Sequence, residues 1–156
     1  MNSKAEDLLN GQNLVFLATT MADGSPQVTP VWGDFEDSHI MINTAEGRLK
    51  HKNILRDPRV AISVVDVKNP LDMTSIRGKV VEIIPDYDYK HADFLTKQYM
   101  GKETYPFKRP DEKRIILKIK PEKIFVLPQL AVSDDWVLLI FLNSSLEIFE
   151  IEDGCT

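Results

Sequence analysis

Between positions 43 and 53 the chain reads Asn43-Thr44-Ala45-Glu46-Gly47-Arg48-Leu49-Lys50-His51-Lys52-Asn53. A hydroxyl residue, a glycine-containing turn and three cations in five residues crowd the start of a predicted helix. Free backbone N–H groups at such a start favour an anion. Arg and Lys there oppose the helix dipole, a cost that a bound phosphate or carboxylate would offset. Arg48 offers a planar fork and Lys50 a point charge, a pair suited to phosphate. The plainer alternative is a solvated helix face, with Arg48 and Lys52 one turn apart and both in water. The local pattern favours the anion. Charge alone does not decide between a small cofactor and a nucleic-acid backbone, but no aromatic residues interleave with these cations as a base-stacking surface requires.

A second cluster is Val28-Thr29-Pro30-Val31-Trp32. Proline interrupts a strand's hydrogen-bond ladder and leaves backbone groups free to meet a ligand, and Trp32 offers a flat apolar surface. Taken alone, a core tryptophan beside a bulge is the better reading of this cluster. His39, His51 and His91 lack metal-ligand spacing, so no metal site is expected. Nucleophile elbow, P-loop and dinucleotide fingerprint are all missing from the sequence. No residue stands out as catalytic. If the chain is an enzyme, a cofactor is expected to carry the hard chemistry.

The elements that must position these residues read mainly as strands. Residues 3–11 suit an opening helix. The apolar run Leu14 to Ala18 suits a buried strand, closed by a turn at Asp23-Gly24. A second strand is expected over 27–35, at an edge or a bulge because of Pro30, and a third over 39–44. The 46–56 segment reads as a helix stopped by Asp57-Pro58. Strands follow over 59–66 and 73–84, the latter with Gly78 as a bulge or close-approach point. A helix is expected over 85–101, then strands over 114–120 and 123–127, separated by Pro121. Six or more short antiparallel strands with short flanking helices make a mainly β (α+β) barrel or sandwich.

The chain has 156 residues, enough for one domain with its own core. Its net charge of −5 is unevenly spread. Six of the 24 acidic residues fall after position 130, where there is no Lys or Arg, so the rest is close to neutral. The composition therefore predicts a domain over 1–127 and an acidic, apolar extension over 128–156. A dedicated nucleic-acid partner is not expected from this balance. The one cysteine, Cys155, permits no intrachain disulfide. Met1 to Asp7 shows no apolar signal core, and the longest apolar run, Trp136 to Leu142, is too short to span a bilayer. A cytoplasmic protein with no membrane partner is expected.

The linked series Leu17-Ala18-Thr19-Thr20, Asp23-Gly24-Ser25-Pro26, Val28-Thr29-Pro30-Val31-Trp32, Asn43-Thr44, Arg48, Lys50, Asn53 and Arg56-Asp57-Pro58-Arg59-Val60 resembles the pyridoxamine 5'-phosphate oxidase-like superfamily. Ile76-Arg77-Gly78-Lys79-Val80 and Tyr99-Met100-Gly101 are similar to its flavin/deazaflavin oxidoreductase branch. The resemblance covers roughly residues 5–127 and implies an FMN-binding type of split β-barrel. It implies a homodimer with cofactor sites at the interface, and flavin mononucleotide (FMN) or the deazaflavin coenzyme F-420 as cofactor. By position, Thr44, Arg48 and Lys50, with Asn43 and Lys52 beside them, would hold the cofactor phosphate. Thr29, Pro30, Val31 and Trp32 would lie along the ring or ribityl chain. The implied activity is hydride transfer between the ring and a small-molecule substrate; the alternative is a non-catalytic FMN- or haem-binding protein of the same fold.

Overall fold

A computed structural model of the protein describes residues 3–126. The expected extension over 128–156 lies outside the described residues. In chain order the elements are α1 (Ser3–Asn10), β1 (Val15–Thr20), β2 (Pro26–Val31), β3 (Gly33–Glu36), β4 (His39–Ala45), α2 (Leu49–Arg56), β5 (Arg59–Val65), β6 (Met73–Pro85), α3 (Lys90–Met100) and β7 (Arg114–Val126). The seven strands form one antiparallel sheet in the order β2-β1-β5-β6-β7-β4-β3.

Side chains alternate across the sheet, as a period of two requires. Val15 and Leu17 of β1, Val60, Ile62 and Val64 of β5, and Ile115, Leu117 and Ile119 of β7 face one core. Leu8 and Leu9 of α1 and Ile54 of α2 pack into the same cluster. The β1–β2 turn forms at Asp23-Gly24 as expected. Gly24 has φ +86°, and the Asp23 carboxylate accepts from the Ser25 N–H at 3.0 Å and the Ser25 hydroxyl at 2.6 Å.

The expected single strand over 27–35 is two strands. β2 ends at Val31 and β3 begins at Gly33, yet they occupy opposite edges of the sheet. One residue spans only about 7 Å between its neighbours' Cα atoms. The sheet must therefore curl until its two edges meet at Trp32. This makes a half-barrel and puts Trp32 at the seam. Pro30 sits on the edge strand β2, where its missing N–H costs no ladder bond.

The two strands expected over 114–127 are instead one. β4 pairs with β7 only as far as Ile119, so beyond that point β7 has a single neighbour and tolerates Pro121. Pro121 lies opposite Gly78, where the β6–β7 register shifts. A Cβ on Gly78 would stand 2.4 Å from the Lys120 carbonyl oxygen, so glycine permits the close approach expected there. Both α2 and α3 begin later than their sequence patterns suggest, at Leu49 and Lys90. Asp86 takes the turn before α3, its two oxygens each accepting at 3.0 Å from the N–H groups of His91 and Ala92. No helix among the described residues is long and apolar enough to cross a membrane.

Candidate functional site

A cavity of about 350 Å³ opens beside the seam. β2 and the seam supply Pro30, Val31 and Trp32; β4 supplies Asn43 and Thr44; the turn into α2 supplies Arg48 and Lys50. Leu14, Ala92 and Leu95 with Tyr105 and Phe107 form an apolar and aromatic wall, and Arg114 of β7 adds a third cation.

The cationic end is built by the end of β4. Thr44 is 1% exposed, and its Oγ1 has no hydrogen-bond partner among the described residues. A buried hydroxyl left unpaired carries a desolvation cost that a ligand oxygen would relieve. After Ala45 the chain turns through Gly47 at φ +75°, whose N–H donates to His51 Nδ1 at 3.0 Å. Arg48 is the N-cap of α2, in extended backbone geometry and with no side-chain capping bond. Lys50 follows in the first turn and is buried. It has no hydrogen-bond or ion-pair partner among the described residues. Burial, then the charges of Arg48 and Arg114, push its ammonium below the ordinary value of 10.5.

Arg114 is 5% exposed and fully engaged. Its Nε donates to Asn43 Oδ1 at 2.8 Å, its Nη2 reaches the same oxygen, and its Nη1 donates to Glu112 Oε1 at 2.9 Å. Glu112 turns its other oxygen to Arg48 Nη2 at 2.8 Å. Burial pushes the Glu112 carboxyl up, but the hydrogen bonds from the two arginines outweigh it and hold the group below its ordinary value.

Asn43 is saturated as well. Its Nδ2 donates to Asp86 Oδ2 at 2.8 Å and to His91 Nδ1 at 3.1 Å. That leaves the His91 proton on Nε2, which donates to Asp34 Oδ1 at 2.8 Å. Asn43 therefore ties β3, β4, α3 and β7 behind the pocket, and its amide has no bond to spare for a ligand. At the other end Trp32 stacks on Tyr99, with ring centroids 5.2 Å apart and planes 5° apart. The Tyr99 hydroxyl lies 2.9 Å from the carbonyls of both Asn13 and Gly33, which fixes α3 across the seam.

Seven of the nine residues singled out from sequence meet here: Pro30, Val31, Trp32, Asn43, Thr44, Arg48 and Lys50. Thr29 and Lys52 lie outside the lining. Thr29 pairs with Leu17, so it faces the sheet side that Leu17 buries, and its Oγ1 is buried without a partner among the described residues. Lys52 is exposed, two residues and about 200° around the helix from Lys50. Sequence reasoning missed Arg114, Glu112 and the Asp34–His91–Asn43–Asp86 network. One signal for Arg114 was present: a cation opening the otherwise apolar run Ile115-Ile116-Leu117.

The sequence matches the pyridoxamine 5'-phosphate oxidase family over residues 1–127. The chain belongs to that family. Among solved structures, this family member is similar to an F-420 reductase, at 32% identity over 76% of this chain and 94% of the other, with a TM-score of 0.69. HupZ from Group A Streptococcus shares 23% identity over 85% of this chain and 98% of its own, with a TM-score of 0.57. A Listeria innocua protein described as a putative pyridoxamine 5'-phosphate oxidase shares 16% over 80% and 96%, with a TM-score of 0.58. These last two likenesses are of fold. No functionally curated protein matches the chain.

Proposed function

We propose that this member of the pyridoxamine 5'-phosphate oxidase family is an oxidoreductase that binds FMN or the deazaflavin coenzyme F-420 and transfers a hydride to or from a small substrate. The observation that carries the reading is the cationic end of the cavity. Thr44 Oγ1 and the Lys50 ammonium, partnerless among the described residues, line the cavity with Arg48 and Arg114, together with the apolar and aromatic side chains of Trp32, Leu95, Tyr105 and Phe107. That donor set fits a phosphate joined to a flat aromatic ring. Similarity to an F-420 reductase makes the deazaflavin the first cofactor to test.

In this reading Thr44 Oγ1 donates to a phosphate oxygen, while Lys50 and Arg48 neutralise its charge. Arg114, held by Asn43, adds positive potential from behind. Trp32, kept rigid by Tyr99, packs beside the ring, and the aromatic wall excludes water from it. The bound ring would supply the hydride chemistry. A second copy of the chain would complete the site. Pro30 lines the cavity and is paired with Phe16, on the solvent side of the sheet. On that side Pro30, Phe16, Ser63 and Ser75 form one row across the strands and Val28, Ala18, Ala61 and Arg77 the next.

The test is equilibrium binding of FMN and of F-420 to the native protein and to Arg48→Ala/Lys50→Ala. Each lost charge-assisted contact is expected to cost about tenfold or more in Kd, with the deficit shrinking at high salt. Equal affinity in the double variant would sink the phosphate assignment. A non-catalytic binder is the second reading, favoured because none of the described residues lining the cavity is a carboxylate or an imidazole. Oxidation of reduced, bound cofactor by a panel of acceptors separates the two.

A further inference from the structure

Glu112 joins two of the three cations at the cavity, one on each carboxylate oxygen, at 2.8 Å from Arg48 and 2.9 Å from Arg114. Its side chain is 12% exposed, whereas that of Arg48 is 46% exposed. The two arginines depend on it differently. Arg114 keeps two bonds to Asn43 and lies within 3.4 Å of the Tyr105 hydroxyl whether or not Glu112 is charged. For Arg48, Glu112 is the one side-chain partner among the described residues. Lys50, also at this end of the cavity, has none.

A carboxylate that accepts from a guanidinium offers the same paired oxygens that a phosphate would. We propose that Glu112 is an internal counter-ion standing in for the ligand's anion: it holds Arg48 in the ligand-free protein, and a phosphate-bearing ligand must take Arg48 from it. The inference rests on the phosphate reading of the cavity and adds a residue that opposes binding to the ones that favour it. An acid whose charge competes with the ligand sets an upper limit on affinity, because each binding event first gives up an existing ion pair. Retention of Glu112 beside the cations also keeps Arg114, which is buried, from being left with only neutral partners.

Glu112→Gln tests this. The backbone at this position is held independently of the side chain, by Tyr89 Oη donating to the Glu112 carbonyl at 3.2 Å and by the Glu112 N–H donating to Arg109 O at 3.1 Å. Calorimetric titration with inorganic phosphate should give a Kd about tenfold tighter for the variant, the order expected when one nearby like charge is removed. Most of that gain should vanish when Arg48 is also replaced by Gln. Unchanged or weaker binding in Glu112→Gln overturns the proposal, since a residue that merely positions Arg48 for the ligand would lose affinity when altered. The native protein provides a readout that no variant's folding can spoil. Phosphate should move the side-chain Nε–H resonance of Arg48, assigned by its loss in Arg48→Gln, and a resonance that stays put at saturation counts against the exchange. If the native protein binds neither phosphate nor either cofactor, the phosphate reading falls and Glu112's role falls with it. If phosphate binds both proteins equally, only the role of Glu112 is lost.

Discussion

At the scale of single residues, the site is a set of groups whose ordinary preferences are held in check. Lys50 is an ammonium with no counter-ion among the described residues, and both burial and its cationic neighbours disfavour its charge. Between its lowered folded value and 10.5, the unfolded chain binds more protons than the folded one. Lys50 therefore contributes stability that rises with pH through that window. A dianion beside it reverses the preference, so binding takes up a proton as Lys50 deprotonates in the free protein. Above about pH 8 a phosphate group is already dianionic and no longer titrates. Over that range phosphate affinity should fall with rising pH in the native protein and stay flat in Lys50→Arg, as measured by titration at several pH values. A flat native profile would remove Lys50 from the site. Arg48, Lys50 and Thr44 were legible in the sequence because they fall within seven residues around one turn. Arg114 and Glu112 were not, because Arg114 reaches the same cavity, and Glu112 its Arg48, from more than 60 positions away.

At the scale of elements, local backbone chemistry was read correctly where one residue type dictates it. Pro30 lies on an edge strand and Gly78 at a register shift, for reasons inherent in a missing N–H and a missing Cβ. Gly78→Ala should destabilise the protein by about 3 kcal/mol, because the clash is with the backbone of β7, which has no flexible end to move away. Denaturant unfolding measures this directly. A loss below about 1 kcal/mol would mean that the β6–β7 ribbon adjusts more freely than close packing allows. Other boundaries were misplaced for a tertiary reason. Residues 27–35 are uniformly strand-like, and nothing local shows that the chain leaves one edge of the sheet for the other at Trp32. Pro121 looked like a strand end, but it is accommodated because β4 has already stopped pairing.

For the molecule as a whole, the curl that joins the sheet edges at Trp32 leaves one side of β1, β5 and β6 without a covering layer among the described residues. Phe16 is 39% exposed there, beside Pro30, Ser63 and Ser75 and next to the row of Val28, Ala18, Ala61 and Arg77, and the proposed second copy would cover this surface. The native protein should sediment as a dimer at micromolar concentration. Ala61→Arg, placed opposite Arg77, should shift it to monomer and weaken cofactor binding together. A native monomer would refute the dimer, and a monomeric variant with full cofactor affinity would detach the site from the interface.

The sequence by itself determined the class of fold, the turn that carries Thr44, Arg48 and Lys50, and the concentration of positive charge at that turn. Each follows from periodicity, backbone permissiveness or the charges within one short segment. Tertiary structure alone decided that Thr44 and Lys50 are buried without partners among the described residues, while Thr29 and Lys52 fall outside the cavity lining. It also decided that Arg114 joins the cavity lining and that Glu112 bonds both Arg48 and Arg114. Burial and pairing depend on which distant strands lie side by side, and strand order is set by the packing of the whole core rather than by any one stretch of chain.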